Sequence, residues 1–255
     1  MISVISPAKT LDFESRASTN VYTQPDFVDE SGKIMARLKK TSKKKIGAMM
    51  DISKNLVELN YERYQEWEPE FDTGTSKQAL LAFKGDVYIG LEAESLNPED
   101  LTFAQNHLRI LSGLHGLLKP LDLIRPYRLE MGTDLKVGHR NNLYEFWKDK
   151  LYKKLNEAIE NSGSLELLNI ASNEYFNAVE SKKIKAKIVK ADFKDFKNGE
   201  YKVLSFFAKK TRGQMARYII DNRINTIEDI KSFDRDGYYY SEKNSSENKI
   251  VFLRD

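Results

Sequence analysis

The 255-residue chain contains no cysteine, which excludes disulfides and thiolate metal sites and fits a cytoplasmic address. Its three histidines, His107, His115 and His139, show no metal-ligand spacing, so neither a metal nor a cofactor is expected. No apolar run reaches the roughly 18 residues of a membrane span, and no signal-peptide pattern opens the chain. An excess of one charge is also missing. With 41 Lys+Arg against 38 Asp+Glu, any affinity for nucleic acid must come from uneven placement. The phosphate-binding pattern GxxxxGK[ST] and the nucleophile pattern GxSxG are both absent. Neither an internal repeat nor a dividing linker is visible, so residues 1–255 read as one domain, a monomer by default.

What is present centres on Arg109 to Gly132, RILSGLHGLLKPLDLIRPYRLEMG. Leu111, Leu114, Leu117, Leu118, Leu121, Leu123 and Ile124 mark it as core, worth about 1.5–3 kcal/mol for each side chain buried. Gly113, Gly116, Pro120, Pro126 and Gly132 stop one helix from running through. Arg109, His115, Lys119, Asp122, Arg125, Arg128 and Glu130 are threaded into the same stretch. Charges in so apolar a segment either line a site or pair with one another inside the core.

The rest alternates strands and helices. Met1 to Ile5, Ala79 to Phe83 and Leu165 to Ala171 read as short apolar strands, and Ile184 to Phe193 with Tyr201 to Phe207 as a hairpin turning at Lys197-Asn198-Gly199. Asn97-Pro98 opens a helix whose apolar face runs Leu101, Ala104, Leu108, Leu111, with Gly113 closing it. Further helices are expected from about Phe146 to Ile159, stopping near Gly163, and from about Gln214 to Arg223. Tyr238 to Tyr240 and Ile250 to Leu253 suggest a closing hairpin. The predicted class is mixed α/β, a central mixed sheet surrounded by helices, with a helical basic lobe at about residues 31–67.

Two features point to ligands. Four expected strands end in polar clusters: SPAKT, KGD, SNEY and KKTRG. Ligands in such sheets collect beyond strand ends, so Lys9, Lys84, Asn173, Lys209, Lys210 and Arg212 form the candidate anion site. KKTRG reads as a basic turn offering free N–H groups before a helix. Asp86, Glu130 and Glu174 are the candidate acid–base groups, structural ion pairing being the other reading of each. The second feature is the run from Lys33 to Lys54, with eight basic residues against the single acid Asp51. Within it Lys39, Lys40, Lys43, Lys44 and Lys45 suit the phosphate backbone of DNA, and equally suit a solvated helix face. LSGLHGLL invites comparison with helix-hairpin-helix DNA-binding elements, although its glycines are three apart.

ISPAKT, FKGDVY, the Arg109–Gly132 stretch, NIASNEYF and AKKTRGQMARYI together resemble the YaaA family of bacterial peroxide-stress proteins, across essentially the whole chain. The resemblance implies survival of hydrogen peroxide, limitation of iron-driven damage and binding of duplex or structured DNA. Without a thiolate it does not imply thiol peroxidase chemistry. An alternative expectation is a hydrolase for nucleotides or nucleobases, cleaving an N-glycosidic bond in the strand-end pocket.

Overall fold

A computed structural model describes all 255 residues. The chain opens with β1 (Ile2–Ile5), buried over its whole length, and leaves it through the two-residue β2 (Thr10–Leu11). The basic lobe follows as α1 (Val28–Lys39), α2 (Lys43–Met50) and α3 (Lys54–Glu66). Ser42 and Ser53 cap α2 and α3, accepting from the N–H groups of Lys45 and Leu56. The spacing predicted both caps, because a serine before a helical run satisfies an otherwise orphaned donor.

The expected strand at Ala79 to Phe83 is instead β3 (Lys77–Gln78), a single turn α4 (Ala79–Ala82) and β4 (Phe83–Lys84), leading into α5 (Asp86–Leu91). A run of four or five apolar residues does not distinguish a buried strand from a buried helical turn. Asn97 caps α6 (Pro98–His107) in a reciprocal capping box with Asp100. Here too the boundary differs from expectation. Leu108 and Leu111 belong to β5 (Leu108–Ser112), whose inner residues happen to continue the helical spacing of Leu101 and Ala104.

From Ser112 the chain doubles back into β6 (Gly116–Leu118), antiparallel to β5, and continues to β7 (Leu123–Ile124). LSGLHGLL is therefore a buried β-hairpin and not a helix-hairpin-helix element. Gly113 and Gly116 are required there for space. A Cβ on Gly116, whose φ is +68°, would strike the ring of Trp147. The Trp147 indole donates to the Gly113 carbonyl at 2.9 Å.

The remaining elements are α7 (Leu143–Ser162), β8 (Glu166–Asn169), α8 (Asn173–Phe176), β9 (Lys187–Lys197), β10 (Glu200–Lys202), α9 (Ser205–Asp221), β11 (Tyr239–Tyr240) and β12 (Lys249–Arg254). Gly163 ends α7 in the left-handed conformation at φ +67°, as its place in the sequence predicted. Asn198 and Gly199 both take positive φ, the tight turn that joins β9 to β10.

Eight strands form one mixed sheet in the order β11-β12-β9-β8-β1-β5-β6, with β10 on the side of β9. The five central strands β12, β9, β8, β1 and β5 are parallel, and antiparallel strands close both ends. Because β1, β8 and β5 run the same way, the segments leaving their carboxyl ends emerge on one side of the sheet. No helix is long and apolar enough to cross a membrane.

Candidate functional site

The carboxyl ends of β1 and β8 are tied together by a pair of serines. The Ser172 N–H donates to Ser6 Oγ at 2.9 Å, and the two hydroxyls lie 3.3 Å apart. Tyr88, from α5, donates its hydroxyl to the Ser6 carbonyl at 3.2 Å. That role left no mark in the sequence, where an aromatic residue in a short apolar helix reads as core. β2 pairs antiparallel with β4, Thr10 opposite Lys84, so the loop after the first strand is zipped to the FKGD segment. Lys9 and Lys84 thereby reach the same place from points 75 residues apart in sequence.

The other wall is helical. KKTRG is not a turn: Lys209 to Gly213 lie inside α9, which begins at Ser205. Their backbone N–H groups are consumed by the helix and offer nothing to a ligand. Gly213 serves close packing. A Cβ there would overlap the Val87 carbonyl oxygen and stand 2.9 Å from the Leu91 nitrogen, while one on Gly90 would overlap the Lys210 carbonyl and stand 3.1 Å from the Gln214 nitrogen. Two glycines thus let α5 and α9 cross backbone to backbone. This crossing turns Lys209 and Arg212, three residues apart on one side of α9, toward Lys84 and Asp86.

The result is a cavity of about 410 Å³ whose lining includes Lys9, Lys84, Asp86, Glu174, Lys209 and Arg212. Six predicted site residues from four separate segments therefore meet. Lys210 does not join them; its ammonium lies 3.0 Å from Asp236 Oδ2, off the cavity. Asn173 begins α8 in an exposed position, and its neighbours Ser172 and Glu174 supply the lining instead. Glu130 sits behind the cavity, where one carboxylate oxygen takes Arg128 at 3.0 Å and Lys9 at 3.1 Å. Its other oxygen is buried without a partner.

The cations differ in how they are balanced. Lys9 is paired with Glu130, and Lys84 lies 3.5 Å from Asp12. Asp12 is held well below the usual carboxylate range, first by the Ser15 N–H and hydroxyl and then by the charges of Lys77 and Lys84. Lys209 has no ion pair. Arg212 has none either, and its Nε is buried without a hydrogen-bond partner. Burial draws the guanidinium below its ordinary value, the Asp192 charge partly opposing this. A guanidinium carries five donors, and leaving them dry and unpaired is costly. Of the two carboxylates facing the cavity, Glu174 accepts from the Gly132 N–H at 3.1 Å. Asp86 is the first residue of α5, where a negative charge suits the helix end. The Tyr175 hydroxyl beside them is pushed up, chiefly by burial.

In the basic lobe Lys40, Lys44 and Lys45 are exposed. Lys39 meets Glu68 at 3.4 Å and Lys43 meets Glu58, acids that lie beyond the lysine run in sequence. The lobe leans on the cavity's rear wall: Tyr64 of α3 donates to the Arg128 carbonyl, and Arg128 continues to Glu130 and Lys9. No group of three or more His, Asp or Glu side chains is arranged to hold a metal ion.

Fold and site together define a mixed α/β protein whose parallel strands end on a cationic cavity, flanked by a lysine-rich helical lobe. Compared with known families, residues 1–244 match the family described as peroxide stress protein YaaA. The chain belongs to that family.

Proposed function

We propose that the protein acts in the peroxide-stress response by binding DNA through its phosphates, with little regard for sequence. Lys40, Lys44 and Lys45, helped by Lys39 and Lys43, contact the backbone electrostatically, while Lys9, Lys84, Lys209 and Arg212 take one phosphate into the strand-end cavity. The observation that carries this reading is Arg212: a largely buried guanidinium without a carboxylate, facing a cavity with a second unpaired cation, Lys209, beside it. A bidentate oxyanion supplies what its donors lack. The lobe adds support, since Lys43, Lys44 and Lys45 occupy the first turn of α2 with no acid among them. Cations at a helix N-terminus oppose the helix dipole, and a phosphate nearby reverses that cost. Limiting iron-driven damage then follows from occupying the DNA and requires no iron bound to the protein.

The test is a salt-titrated binding assay on duplex, junction and single-stranded DNA. Lys40→Gln, Lys44→Gln and Lys45→Gln together are expected to flatten the slope of log K against log[salt] by about three for a duplex. Arg212→Ala is expected to weaken binding to every DNA by about tenfold or more. Unchanged affinity and slope in both proteins would refute the proposal.

One observation favours a second reading, hydrolysis of a nucleotide or N-glycosidic bond: Asp86 and Glu174 face the same cavity as the cations. Turnover abolished by Glu174→Gln, with DNA affinity intact, would establish it. Absence of product under all conditions would remove it.

A further inference from the structure

A second cavity, of about 330 Å³, lies on the other side of the β2–β4 ribbon, and Lys84 lines both. The two hollows are opposite in character. The strand-end cavity is dominated by charge, whereas the second has a wall of Leu80, Leu81, Phe83 and Ile89. Ile89 is 58% exposed at its rim, an apolar side chain turned outward beside an open hollow.

This second cavity is a built feature. Lys77 is 6% exposed, and its ammonium donates to the Asp12 carbonyl, the Ser15 carbonyl and Ser15 Oγ at 3.0, 2.9 and 3.1 Å. Asp12 in turn accepts from the N–H groups of Glu14 and Ser15 and from the Ser15 hydroxyl. Gln78 donates to the carbonyls of Thr19 and Val21. The loop forming the rim is thus pinned from within, and its polar inward groups are used up. Left over at the mouth are Arg16 and Glu94, neither in an ion pair or a side-chain hydrogen bond, one a donor and the other an acceptor.

We propose that the two cavities form one nucleotide site: phosphate at Lys9, Lys209 and Arg212, sugar passing Lys84, and a nucleobase against the Leu81–Ile89 wall with its polar edge toward Glu94 and Arg16. The proposal rests on the reading that the strand-end cavity takes a phosphate. A planar heterocycle offers an apolar face together with donors and acceptors on its edge, which is the combination this cavity presents. A free nucleotide and a nucleotide turned out of a DNA duplex share that chemistry.

Calorimetry with inorganic phosphate and with the four deoxynucleoside 5′-monophosphates tests it on the intact protein. At least one monophosphate is expected to bind tenfold or more tighter than phosphate. Ile89→Ser, a change at an exposed position, and separately Glu94→Gln, should reduce that advantage at least threefold while phosphate affinity stays the same. Equal affinities for phosphate and all four monophosphates overturn the base site and leave the phosphate site standing. Binding that is indifferent to Arg212→Ala overturns the phosphate site, and the present proposal with it. An oligonucleotide carrying 2-aminopurine at a mismatch separates the sources. Brightening on binding that is lost in Ile89→Ser identifies an extruded base; tight monophosphate binding without brightening identifies a free nucleotide.

Discussion

Gly213→Ala and Gly32→Ala make the same chemical change inside two helices and should have opposite outcomes. At Gly213 in α9 the added methyl overlaps the Val87 carbonyl oxygen, whereas at Gly32 in α1 nothing lies within 4 Å of it. Separating α5 from α9 enough to admit the methyl costs about 3 kcal/mol, the upper end for overpacking because the obstacle is backbone. Alanine returns about 1 kcal/mol in helix propensity, so Gly213→Ala is expected to destabilise by about 2 kcal/mol. Gly32→Ala takes only the favourable part, about 0.5–1 kcal/mol. For a domain of this size the melting temperature should fall by about 4–8 °C in the first variant and rise by about 1–4 °C in the second. Thermal denaturation followed by circular dichroism measures both. Phosphate affinity should also fall in Gly213→Ala, because the helix that carries Lys209 and Arg212 has been pushed off Lys84, and should be untouched in Gly32→Ala. A Gly213→Ala protein as stable as the parent would refute the account of the crossing, and with it the explanation of how the cavity is assembled.

Three further perturbations test other parts of the molecule. His115 is fully buried, and burial lowers it to about 3, below the ordinary 6.5, so between those values the unfolded chain binds the extra proton and stability falls as pH drops. From pH 7 to pH 5 this amounts to about 2 kcal/mol; Asp122, raised to about 6 chiefly by burial, works in the opposite sense. Urea unfolding of His115→Gln retains the Asp122 contribution, so its stability should lose about 2 kcal/mol less than the parent's over that interval; identical pH dependence would contradict this. Trp147→Phe orphans the buried Gly113 carbonyl and should cost about 1–3 kcal/mol by the same unfolding assay. Asn97→Ala removes the capping box of α6 and should cost about 1 kcal/mol, read as a lower melting temperature.

Much of the cavity was legible because its cations and carboxylates follow apolar runs at points where the chain must leave the sheet. Lys9, Lys84 and Glu174 announce themselves by position, as polar residues directly after buried segments. Lys209 and Arg212 were found for a mistaken reason. The glycine in KKTRG suggested a turn, yet Gly213 is there to admit another helix, and a partner distant in sequence leaves no local trace. The same limitation hid the departures of Lys210 and Glu130, whose destinations, Asp236 and Arg128 with Lys9, are tertiary facts. The boundary between α6 and β5 was missed because Leu101, Ala104, Leu108 and Leu111 keep one spacing through a change of conformation. Caps and turns were read correctly at Ser42, Ser53, Asn97, Gly163 and Asn198-Gly199, where the chemistry acts within a few residues.

The placement of β1 has a consequence for biosynthesis. Residues 2–5 leave the ribosome at the outset, yet the strands that flank them, residues 108–112 and 166–169, are made much later. The middle of the sheet must wait, exposed or shielded by chaperones, for over half of translation before either neighbour arrives. A nascent chain of this protein is accordingly expected to stay protease-sensitive until β8 has cleared the exit tunnel, and then to become resistant in one late step.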